Sequence, residues 1–510
     1  MKPRENHFVS FNMVEFSYPS SIFPILKDLN FELRPGWTGI TGENGAGKTT
    51  LLRLAAGLLE PGGGTIRRPE SRLYCPQRTD DIPERWEDFF YADDNAAGKL
   101  LDRLGIGQDW PYRWDTLSHG ERKRLQLAIA LWQDPALLAV DEPTNHLDRE
   151  ARTLIGDALA GYTGLGLLVS HDRALLDRLC TSCLFIRDNR VTLRPGGISQ
   201  GLEEEKREQT EQQRNRKKIR GERDRLAAEA DSRRRTVESA KNRMTKKHID
   251  PKDNDTKRKI DLARLTGKDA VGAKLYKQME NRLEKTDQLL ENTHTRKERK
   301  TGITLRGNAS QADRLFFLEA DRLFFLEANR LTLDAEARPV RSLAFPDLLM
   351  QGGDRIALTG PNGSGKSTLI RRFLEIIPKT IPVLYLPQEI TMAESRTILG
   401  ELAGEEEAIR GEIISRFSRL GSDPQCLLQS ELPSPGEVRK LMIARGIFYE
   451  PALIIMDEPT NHLDLTSIEL LEEALGECEA ALLLVSHDEV FLSRLTEKEW
   501  TIRDGVLRIL

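Results

Sequence analysis

Two glycine-rich segments end in a lysine followed by a hydroxyl residue, and this spacing is suited to binding phosphate groups. The first is Gly42-Glu-Asn-Gly-Ala-Gly-Lys-Thr49 and the second is Gly360-Pro-Asn-Gly-Ser-Gly-Lys-Ser367. Each lies between an apolar segment typical of a strand and a segment typical of a helix, the context in which backbone N–H groups wrap phosphates. We call these segments P-loops. With one following position each, the predicted phosphate-binding residues are Gly42, Glu43, Asn44, Gly45, Ala46, Gly47, Lys48, Thr49, Thr50, Gly360, Pro361, Asn362, Gly363, Ser364, Gly365, Lys366, Ser367 and Thr368.

The last two residues of each P-loop have separate predicted roles. Lys48 and Lys366 would neutralise the β- and γ-phosphate oxygens of a nucleoside triphosphate. Thr49 and Ser367 would each offer a hydroxyl to Mg²⁺. The pattern therefore predicts two sites for ATP and Mg²⁺.

An octapeptide rich in carboxylates also occurs twice, as Asp141-Glu-Pro-Thr-Asn-His-Leu-Asp148 and again from Asp457 to Asp464. An apolar run typical of a buried parallel strand precedes each copy. The first carboxylate of each copy would hold Mg²⁺ through water, and the second would orient or deprotonate the attacking water. The predicted metal-binding pair is Asp141 and Asp457, and the predicted catalytic pair is Glu142 and Glu458.

Further polar residues follow other apolar runs at matched positions. Gln77 and Gln388 come after Leu-Tyr-x-Pro and would reach the metal and the attacking water from another strand end. His171 and His487 follow Leu-Val-Ser and would contact the γ-phosphate. A single histidine is more often structural, but the repeated context favours a functional role.

These repeats recur at a separation of 316 to 318 residues, so two homologous domains flank a dissimilar middle segment. The expected fold class is α/β, with two P-loop domains joined by an α-helical hairpin. We call residues 1–200 the N-terminal domain, residues 201–311 the linker and residues 312–510 the C-terminal domain.

Composition narrows the class of protein. Apolar residues make up 39% of the 510 positions and the mean hydropathy is −0.48, so no run approaches the length of a membrane span. The N-terminus lacks the apolar stretch of a secretory signal and five cysteines suit a reducing compartment, so a cytoplasmic location is expected. Residues 201–300 hold 30 Lys and Arg against 20 Asp and Glu, although the whole chain has a net charge of −4. A basic segment of this kind indicates a polyanion contact or a solvated charged helix.

The linker is expected to form two antiparallel helices joined by an irregular tip at about residues 241–273. Directly after the linker, the octet Ala312-Asp-Arg-Leu-Phe-Phe-Leu-Glu319 is repeated at once from Ala320 to Glu327. Only one copy is expected to supply the strand that opens the C-terminal domain. We expect the second copy to provide it, since that copy continues into Ala328-Asn-Arg-Leu331.

The two domains resemble the ATP-binding cassette superfamily. Its Leu-Ser-Gly-Gly-Gln signature is matched by Leu117-Ser-His-Gly-Glu121 and by Pro433-Ser-Pro-Gly-Glu437. The resemblance implies that each signature closes over ATP held by the P-loop of the other domain. The implied contact residues are Ser118, Gly120 and Glu121 for the second P-loop, and Ser434, Gly436 and Glu437 for the first.

Some positions depart from the superfamily pattern. His119 is bulky and Pro435 has no N–H to donate, so the two ATP sites are expected to differ in rate. Tyr18 fits the place of the adenine-stacking aromatic residue, or serves as a core aromatic. The C-terminal domain has no aromatic residue near Leu333, the corresponding position.

Two fused cassettes joined by a charged helical linker resemble the ABC-F family of ribosome-associated ATPases. The resemblance implies that the linker enters the tRNA exit region of the ribosome, with rRNA and P-site tRNA as partners, and that the protein is a monomer whose two cassettes pair with each other. RNA would be recognised through its shape and backbone. The candidate RNA contacts are Lys241, Arg243, Lys246, Lys247, Lys252, Lys257, Arg258 and Lys259.

Two further features of the chain indicate which branch of that family it resembles. Only 41 positions separate Gln77 from Ser118, too few for the extra helical arm of translation-throttling members. The chain ends 23 residues after His487, so no C-terminal coiled coil is expected. These features resemble the antibiotic-resistance branch, which protects the ribosome.

Two alternatives remain open at this stage. One is a tandem ATPase subunit of an ABC transporter, which predicts a short connection between the domains. The other is a DNA-associated cassette ATPase, which predicts a longer coil or paired zinc motifs. Cys180-Thr-Ser-Cys183 is the only C-x-x-C pair in the sequence, and one such pair is more often two core cysteines.

Overall fold

The computed structural model describes most of the chain. The described residues are 8–19, 24–145, 147–187, 189–243, 268–292, 315–326, 340–422, 424, 427 and 433–510. The chain divides into two units: one comprises Met1–Gly201 together with Arg299–Leu510, and the other is Leu202–Glu298. Both α/β domains thus belong to a single unit.

The N-terminal domain alternates strands and helices. Its strands are β1 (Val9–Phe16), β2 (Leu26–Leu33), β3 (Gly36–Gly42), β4 (Gly63–Arg67), β5 (Arg72–Cys75), β6 (Leu137–Asp141), β7 (Leu165–Val169), β8 (Cys180–Arg187) and β9 (Arg190–Pro195). Its helices are α1 (Lys48–Ala56), α2 (Trp86–Phe90), α3 (Asn95–Arg103), α4 (His119–Trp132), α5 (Arg149–Ala160) and α6 (Arg173–Leu179), with a 3₁₀ helix at Trp110–Thr116.

A six-stranded sheet in the order β5-β6-β7-β3-β8-β9 forms the centre of this domain. All its neighbouring strands are parallel except β8 and β9. Strands β6 and β7 are buried along their whole length, which explains their continuous apolar sequences. The carboxyl ends of β3, β6 and β7 lie side by side, and the predicted site residues follow directly from those ends. A three-stranded antiparallel sheet, β2-β1-β4, completes the domain.

The C-terminal domain repeats this plan. Its strands are β10 (Phe316–Leu318), β11 (Asp321–Leu326), β12 (Val340–Phe345), β13 (Leu348–Met350), β14 (Arg355–Thr359), β15 (Val383–Leu386), β16 (Leu453–Asp457), β17 (Ala481–Val485), β18 (Lys498–Arg503) and β19 (Val506–Ile509). Its main sheet has the order β11-β12-β19-β18-β14-β17-β16-β15. The strands β15, β16, β17 and β14 correspond to β5, β6, β7 and β3 in both order and direction.

The remaining helices belong to the linker and the C-terminal domain. The linker helices are α7 (Ile198–Arg243) and α8 (Lys268–Asn292). The C-terminal helices are α9 (Lys366–Ile376), α10 (Met392–Gly404), α11 (Glu407–Arg419), α12 (Pro435–Phe448), α13 (Leu465–Gly476) and α14 (Glu489–Leu495). Among the described helices, none combines the length and apolar character needed to cross a membrane.

The two linker helices contact each other through Arg223 Nε and Asp287 Oδ1, 3.1 Å apart. The predicted tip at 241–273 lies mainly outside the described residues, because α7 ends at Arg243 and α8 begins at Lys268. Most exposed side chains of α7 are charged, which explains how so polar a sequence can remain helical.

The duplicated octet behaves differently from the prediction, since both copies form strands. The first copy supplies β10, which pairs with β13, and the second supplies β11, which pairs with β12. Leu315 and Phe316 of the first copy are buried in the core, where the Phe316 ring stacks on Phe373 at 4.5 Å between centroids. The first copy therefore places a buried ring in the core, and Leu323 of the second copy packs against the same core. The expectation that only one copy forms a strand is wrong, because both copies find a strand to pair with.

This burial predicts a large effect of one substitution in the first copy. Phe316→Ala removes a buried, stacked ring and should cost about 3–5 kcal/mol, which lowers the thermal midpoint by roughly 10 °C for a domain of this size. The control is Leu349→Ala, which removes an exposed apolar side chain from the paired strand β13 and should cost much less. Calorimetry that found losses of equal size for the two variants would contradict the assignment.

Candidate functional site

Each P-loop connects a central strand to a helix that begins at its lysine. Gly47 and Gly365 precede the helices with φ values of 99° and 101°, in the left-handed region where glycine carries no Cβ penalty. Lys48 Nζ donates to the carbonyl oxygens of Gly42 and Glu43 at 2.9 and 3.3 Å. Burial lowers the pKa of Lys48. The loop therefore presents backbone N–H groups and a buried ammonium group, which together suit a polyphosphate.

The second P-loop has the same geometry. Lys366 Nζ donates to the carbonyl oxygens of Gly360 and Pro361 at 2.7 and 3.0 Å, and burial lowers its pKa. The other predicted phosphate-binding residues lie in the two loops and in the first helical turn. The two sites thus arise from one repeated local structure.

The predicted metal-binding residues meet at the end of strands β6 and β16. Thr49 Oγ1 donates to Asp141 Oδ2 at 2.8 Å, and Ser367 Oγ donates to Asp457 Oδ2 at 2.7 Å. Hydroxyl and carboxylate oxygens are ligands that Mg²⁺ prefers, and Mg²⁺ in phosphate sites is commonly held by one carboxylate together with phosphate oxygens. The paired oxygens therefore fit Mg²⁺ at both P-loops.

A tyrosine that the sequence argument did not select joins the first of these pairs. Tyr74 OH donates to Asp141 Oδ2 at 3.0 Å, and burial raises the pKa of this phenol above its usual value, so it stays a donor. Burial and Asp457 likewise raise the pKa of Tyr385, the matching residue. Its repeated place three residues before each predicted glutamine is a signal that could have identified it.

Glu142 and Glu458 directly follow the predicted metal-binding aspartates and have strained backbones. Their φ values are 45° and 51°, unusual for residues other than glycine. Only 6% of Glu142 and 3% of Glu458 is exposed to solvent. Burial raises the pKa of each carboxyl to about 7. A carboxylate with such a pKa can accept a proton near neutral pH.

The predicted histidines lie against these glutamates. His171 Nε2 is 3.2 Å from Glu142 Oε1, and His487 Nε2 is 3.4 Å from Glu458 Oε1. Burial lowers the pKa of both imidazoles to about 3, so they are neutral at physiological pH. His487 Nε2 is also 3.3 Å from Asn362 Oδ1 of its own P-loop. A neutral imidazole can donate one hydrogen bond in the direction of a γ-phosphate.

Two buried cations, also absent from the sequence prediction, fix the surrounding main chain. Lys123 Nζ donates to the carbonyl oxygens of Pro76 and Asp141 at 2.6 and 3.4 Å. Arg439, at the matching position 316 residues later, donates to the Glu458 oxygen at 2.7 Å and to the Pro387 oxygen at 3.2 Å. Each cation ties the strand end that carries the carboxylates to the segment that carries the predicted glutamine.

The predicted glutamines lie in the segments that Lys123 and Arg439 tie to the strand ends. The side chains of Gln77 and Gln388 are exposed, and Arg439 also hydrogen-bonds the main-chain oxygen of Gln388. Tyr18 lies beside the helix that starts at the first P-loop: its hydroxyl is 3.2 Å from Thr50 Oγ1, and its ring packs edge-on against Phe16.

The signature residues begin helices α4 and α12 in the same way. Ser118 and Ser434 are N-caps, and each forms a reciprocal capping box with the glutamate three residues later, Glu121 or Glu437. Pro435 occupies the first helical position, where the missing N–H costs no intrahelical bond.

The second signature also reaches the other domain. A Cβ placed on Gly436 would lie 2.6 Å from the His462 oxygen and 3.3 Å from Asn44 Nδ2 of the first P-loop. Only a residue without a side chain fits this approach. Asn44 Nδ2 in turn donates to the His462 oxygen at 2.8 Å.

Two aspartates that close the repeated octapeptide connect the domains. Asp148 Oδ1 accepts from Ala151 N at the start of α5, while its Oδ2 accepts from Asn362 N of the second P-loop at 3.4 Å. Asp464 repeats the arrangement in the opposite direction, since its Oδ2 accepts from Asn44 N at 3.3 Å. Each P-loop is therefore bonded to the opposite domain.

Of the candidate RNA contacts, two fall within the described chain. Lys241 and Arg243 lie in the last turn of α7. The others lie outside the described residues, namely Lys246, Lys247, Lys252, Lys257, Arg258 and Lys259.

Comparison with known proteins supports the two-domain organisation. A family model described as "ABC transporter" matches residues 26–145 and 346–461. An archaeal ribosome recycling factor, aABCE1, solved with the ribosomal stalk protein aP1, has a similar fold with a TM-score of 0.59, at 18% identity over 96% of this chain and 87% of that one.

Two curated relatives align over almost the whole sequence. The tylosin resistance ATP-binding protein TlrC of Streptomyces fradiae is 30% identical over 95% of both chains. The ribosome protection protein VmlR of Bacillus subtilis is 30% identical over 97% of this chain and 86% of its own. Because these alignments span both P-loop domains and the linker between them, the chain belongs to the ABC-F family of ATP-binding cassette ATPases.

Proposed function

We propose that this protein binds the ribosome in its ATP-bound form, protects it from antibiotics and leaves it after ATP hydrolysis. The observation that carries this proposal is the end-to-end similarity to a ribosome protection protein, which includes the linker. The resistance relative TlrC supports the same conclusion. The net charge of the linker suits an RNA partner, because basic side chains that neutralise phosphates release counterions.

The proposed hydrolysis follows from the geometry of each site. The P-loop N–H groups and Lys48 or Lys366 would hold the phosphates, and Tyr18 would stack on adenine at the first site. Thr49 with Asp141, and Ser367 with Asp457, would hold Mg²⁺ with Gln77 and Gln388 nearby. When bound there, Mg²⁺ would neutralise charge on the phosphate oxygens.

The catalytic step requires a base that accepts a proton from water and a group that donates a hydrogen bond to the γ-phosphate. Glu142 or Glu458 would accept a proton from water as the water oxygen bonds to the γ-phosphorus and the bond to the β–γ bridging oxygen breaks. The neutral His171 or His487 would donate a hydrogen bond to the γ-phosphate. Ser118, Gly120 and Glu121, or Ser434, Gly436 and Glu437, would complete the opposite site.

ATP would link the two domains because each site contains residues from both. Asn44 and Asn362 already receive contacts from the opposite domain through Asp464 and Asp148. A γ-phosphate between a P-loop and the opposite signature would add bonds to this interface, and hydrolysis would remove them. The linker, which joins the domains, would be held in its ribosome-binding orientation only while they are paired.

The first prediction concerns the catalytic base. Glu142→Gln combined with Glu458→Gln should slow ATP hydrolysis at least about 100-fold, because an amide cannot accept the proton. The dissociation constant for ATP should stay within about threefold, because neither carboxylate is proposed to bind nucleotide. Steady-state turnover and equilibrium binding measure the two quantities.

A matched control uses exposed glutamates, one in each domain: Glu150→Gln combined with Glu473→Gln should turn over at the wild-type rate. The wild-type rate should also rise with pH up to about 7 and then level off, because the raised pKa keeps the base protonated at lower pH. Normal turnover in the first double variant would contradict the assignment.

The second prediction concerns the ribosome. The same double Glu→Gln variant should accumulate on 70S ribosomes in ATP, because its domains stay paired. Neutralising five basic residues of the linker should weaken retention by at least about tenfold at low salt, with a smaller effect as salt rises. The residues to replace with glutamine are Lys246, Lys247, Lys257, Arg258 and Lys259.

Co-sedimentation measures retention. The control variant carries the same number of replacements on the exposed surface of the two α/β domains, at Arg34, Arg67, Lys99, Arg372 and Lys379. It should be retained like its parent. If the double Glu→Gln variant stays in the supernatant at low salt, the ribosomal function is wrong, although the chain would remain an ATPase.

A further inference from the structure

The interface between the α/β domains contains an ion pair that is almost fully buried. Arg173 Nη1, at the start of α6, lies 3.0 and 3.2 Å from the two carboxylate oxygens of Glu472 in α13. The exposed fractions of the two side chains are 5% and 6%. Arg494 Nη1 binds the same carboxylate at 2.6 Å from a more exposed position. We call these three residues the ion triad.

Glu472 is the acceptor for the buried guanidinium group of Arg173. Among the described residues, no other acceptor reaches its Nε and Nη2 atoms. Hydrogen bonds between ionised groups are about twice as strong as those between neutral groups. Separation of the domains at this point must break the two bonds from Arg173 to Glu472, so the ion triad resists opening.

The homologous side of the interface has a different arrangement. By the 316-residue repeat, Glu472 corresponds to Gly156 and Arg173 corresponds to Glu489, so no buried pair can form there. Glu489 instead contacts Arg149 at 2.6 Å, and 62% and 74% of these side chains are exposed. Water and salt screen an exposed pair, which contributes little to association.

Each side also has a cross-domain hydrogen bond from an arginine. Arg187 Nη2 donates to Thr466 Oγ1 at 3.3 Å on the side of the ion triad. Arg152 Nη1 donates to the His487 oxygen at 3.2 Å on the opposite side. Both are bonds from an arginine to a neutral oxygen. Arg152 also acts on Glu458 across the second site, but by charge alone, without a hydrogen bond to that carboxylate. The ion triad differs because its buried charges are joined by hydrogen bonds.

Two residues of the ion triad belong to segments that also carry residues of the first ATP site. Arg173 follows His171 of that site by two residues, and Glu472 belongs to the helix that Asp464 caps. The exposed pair bears the same relation to the second site, because Arg149 follows Asp148 and Glu489 follows His487 by two residues.

We propose that Arg173 and Glu472 are positioning residues that keep the first ATP site closed, so that the domains open from the second site and exchange nucleotide there first. This inference rests on the proposed pairing of the domains by ATP, but not on any ribosomal role. The two ATP sites would then differ in function: the domains would hinge about the closed first site, and nucleotide would enter and leave at the second site.

The test measures release of a fluorescent, non-hydrolysable ATP analogue from one site at a time, without ribosomes. Lys366→Ala restricts binding to the first site, and Lys48→Ala restricts it to the second. Arg173→Gln should speed release from the first site at least about tenfold and leave the second within about twofold. Arg149→Gln, the matched control in the exposed pair, should stay within about twofold at both sites.

Two further variants separate positioning from folding. Arg173→Lys keeps the charge and should restore slow release from the first site. Arg173→Gln combined with Glu472→Gln leaves no isolated buried charge, because the remaining Arg494 is more than half exposed, so the variant should be as stable as the parent yet still release quickly from the first site. Thermal unfolding of each variant accompanies the release measurement.

Acceleration of both sites by Arg173→Gln, or equal effects of Arg173→Gln and Arg149→Gln, would overturn the proposal. So would fast release from Arg173→Lys that equals release from Arg173→Gln. Because ribosomes are absent, these outcomes leave the ribosomal function untouched, whereas failed co-sedimentation leaves the asymmetric opening untouched.

Discussion

Two aspartate carboxylates, each shared between the α/β domains, constrain most of the structure around the sites. One oxygen of Asp148 or Asp464 caps a helix of its own domain, and the other oxygen accepts an N–H from the opposite P-loop. A single rigid group thus fixes the start of one domain's helix relative to the other domain's phosphate loop. Movement between the domains must break these bonds. Nucleotide binding at a P-loop is therefore coupled to the position of the opposite domain.

Burial at the ends of strands β6 and β16 also affects the chemistry of the sites. Burial raises the pKa of Glu142 and Glu458 to about 7 and lowers that of the nearby histidines to about 3. The carboxylates can therefore accept a proton near neutral pH more readily than the imidazoles, which stay neutral. Lys123 and Arg439 are buried as charges because main-chain carbonyl groups satisfy them. The same contacts hold the strand ends that carry the acidic residues.

The sequence was informative wherever function imposes local spacing. The P-loops, the aspartates beside them and the repeated domains could be predicted because each motif is short and occurs twice. Lys123 and Arg439 were missed because a charged residue in a helix is usually exposed, and only the fold shows that these two point inwards. Arg173 and Glu472 are 299 positions apart, and no local pattern connects them. The two octets have identical propensities, so only the folded structure could show that both form strands.

The central claim is that ATP pairs the two α/β domains, and cross-linking tests it most directly. Arg149→Cys combined with Glu489→Cys places one thiol on each domain where the native side chains are exposed and in contact. Four native cysteines are buried, and Cys426→Ser removes the remaining one. With Glu142→Gln and Glu458→Gln present, a short bismaleimide should join the two thiols efficiently in ATP and poorly in ADP or without nucleotide. Equal yields in all three conditions would contradict the account.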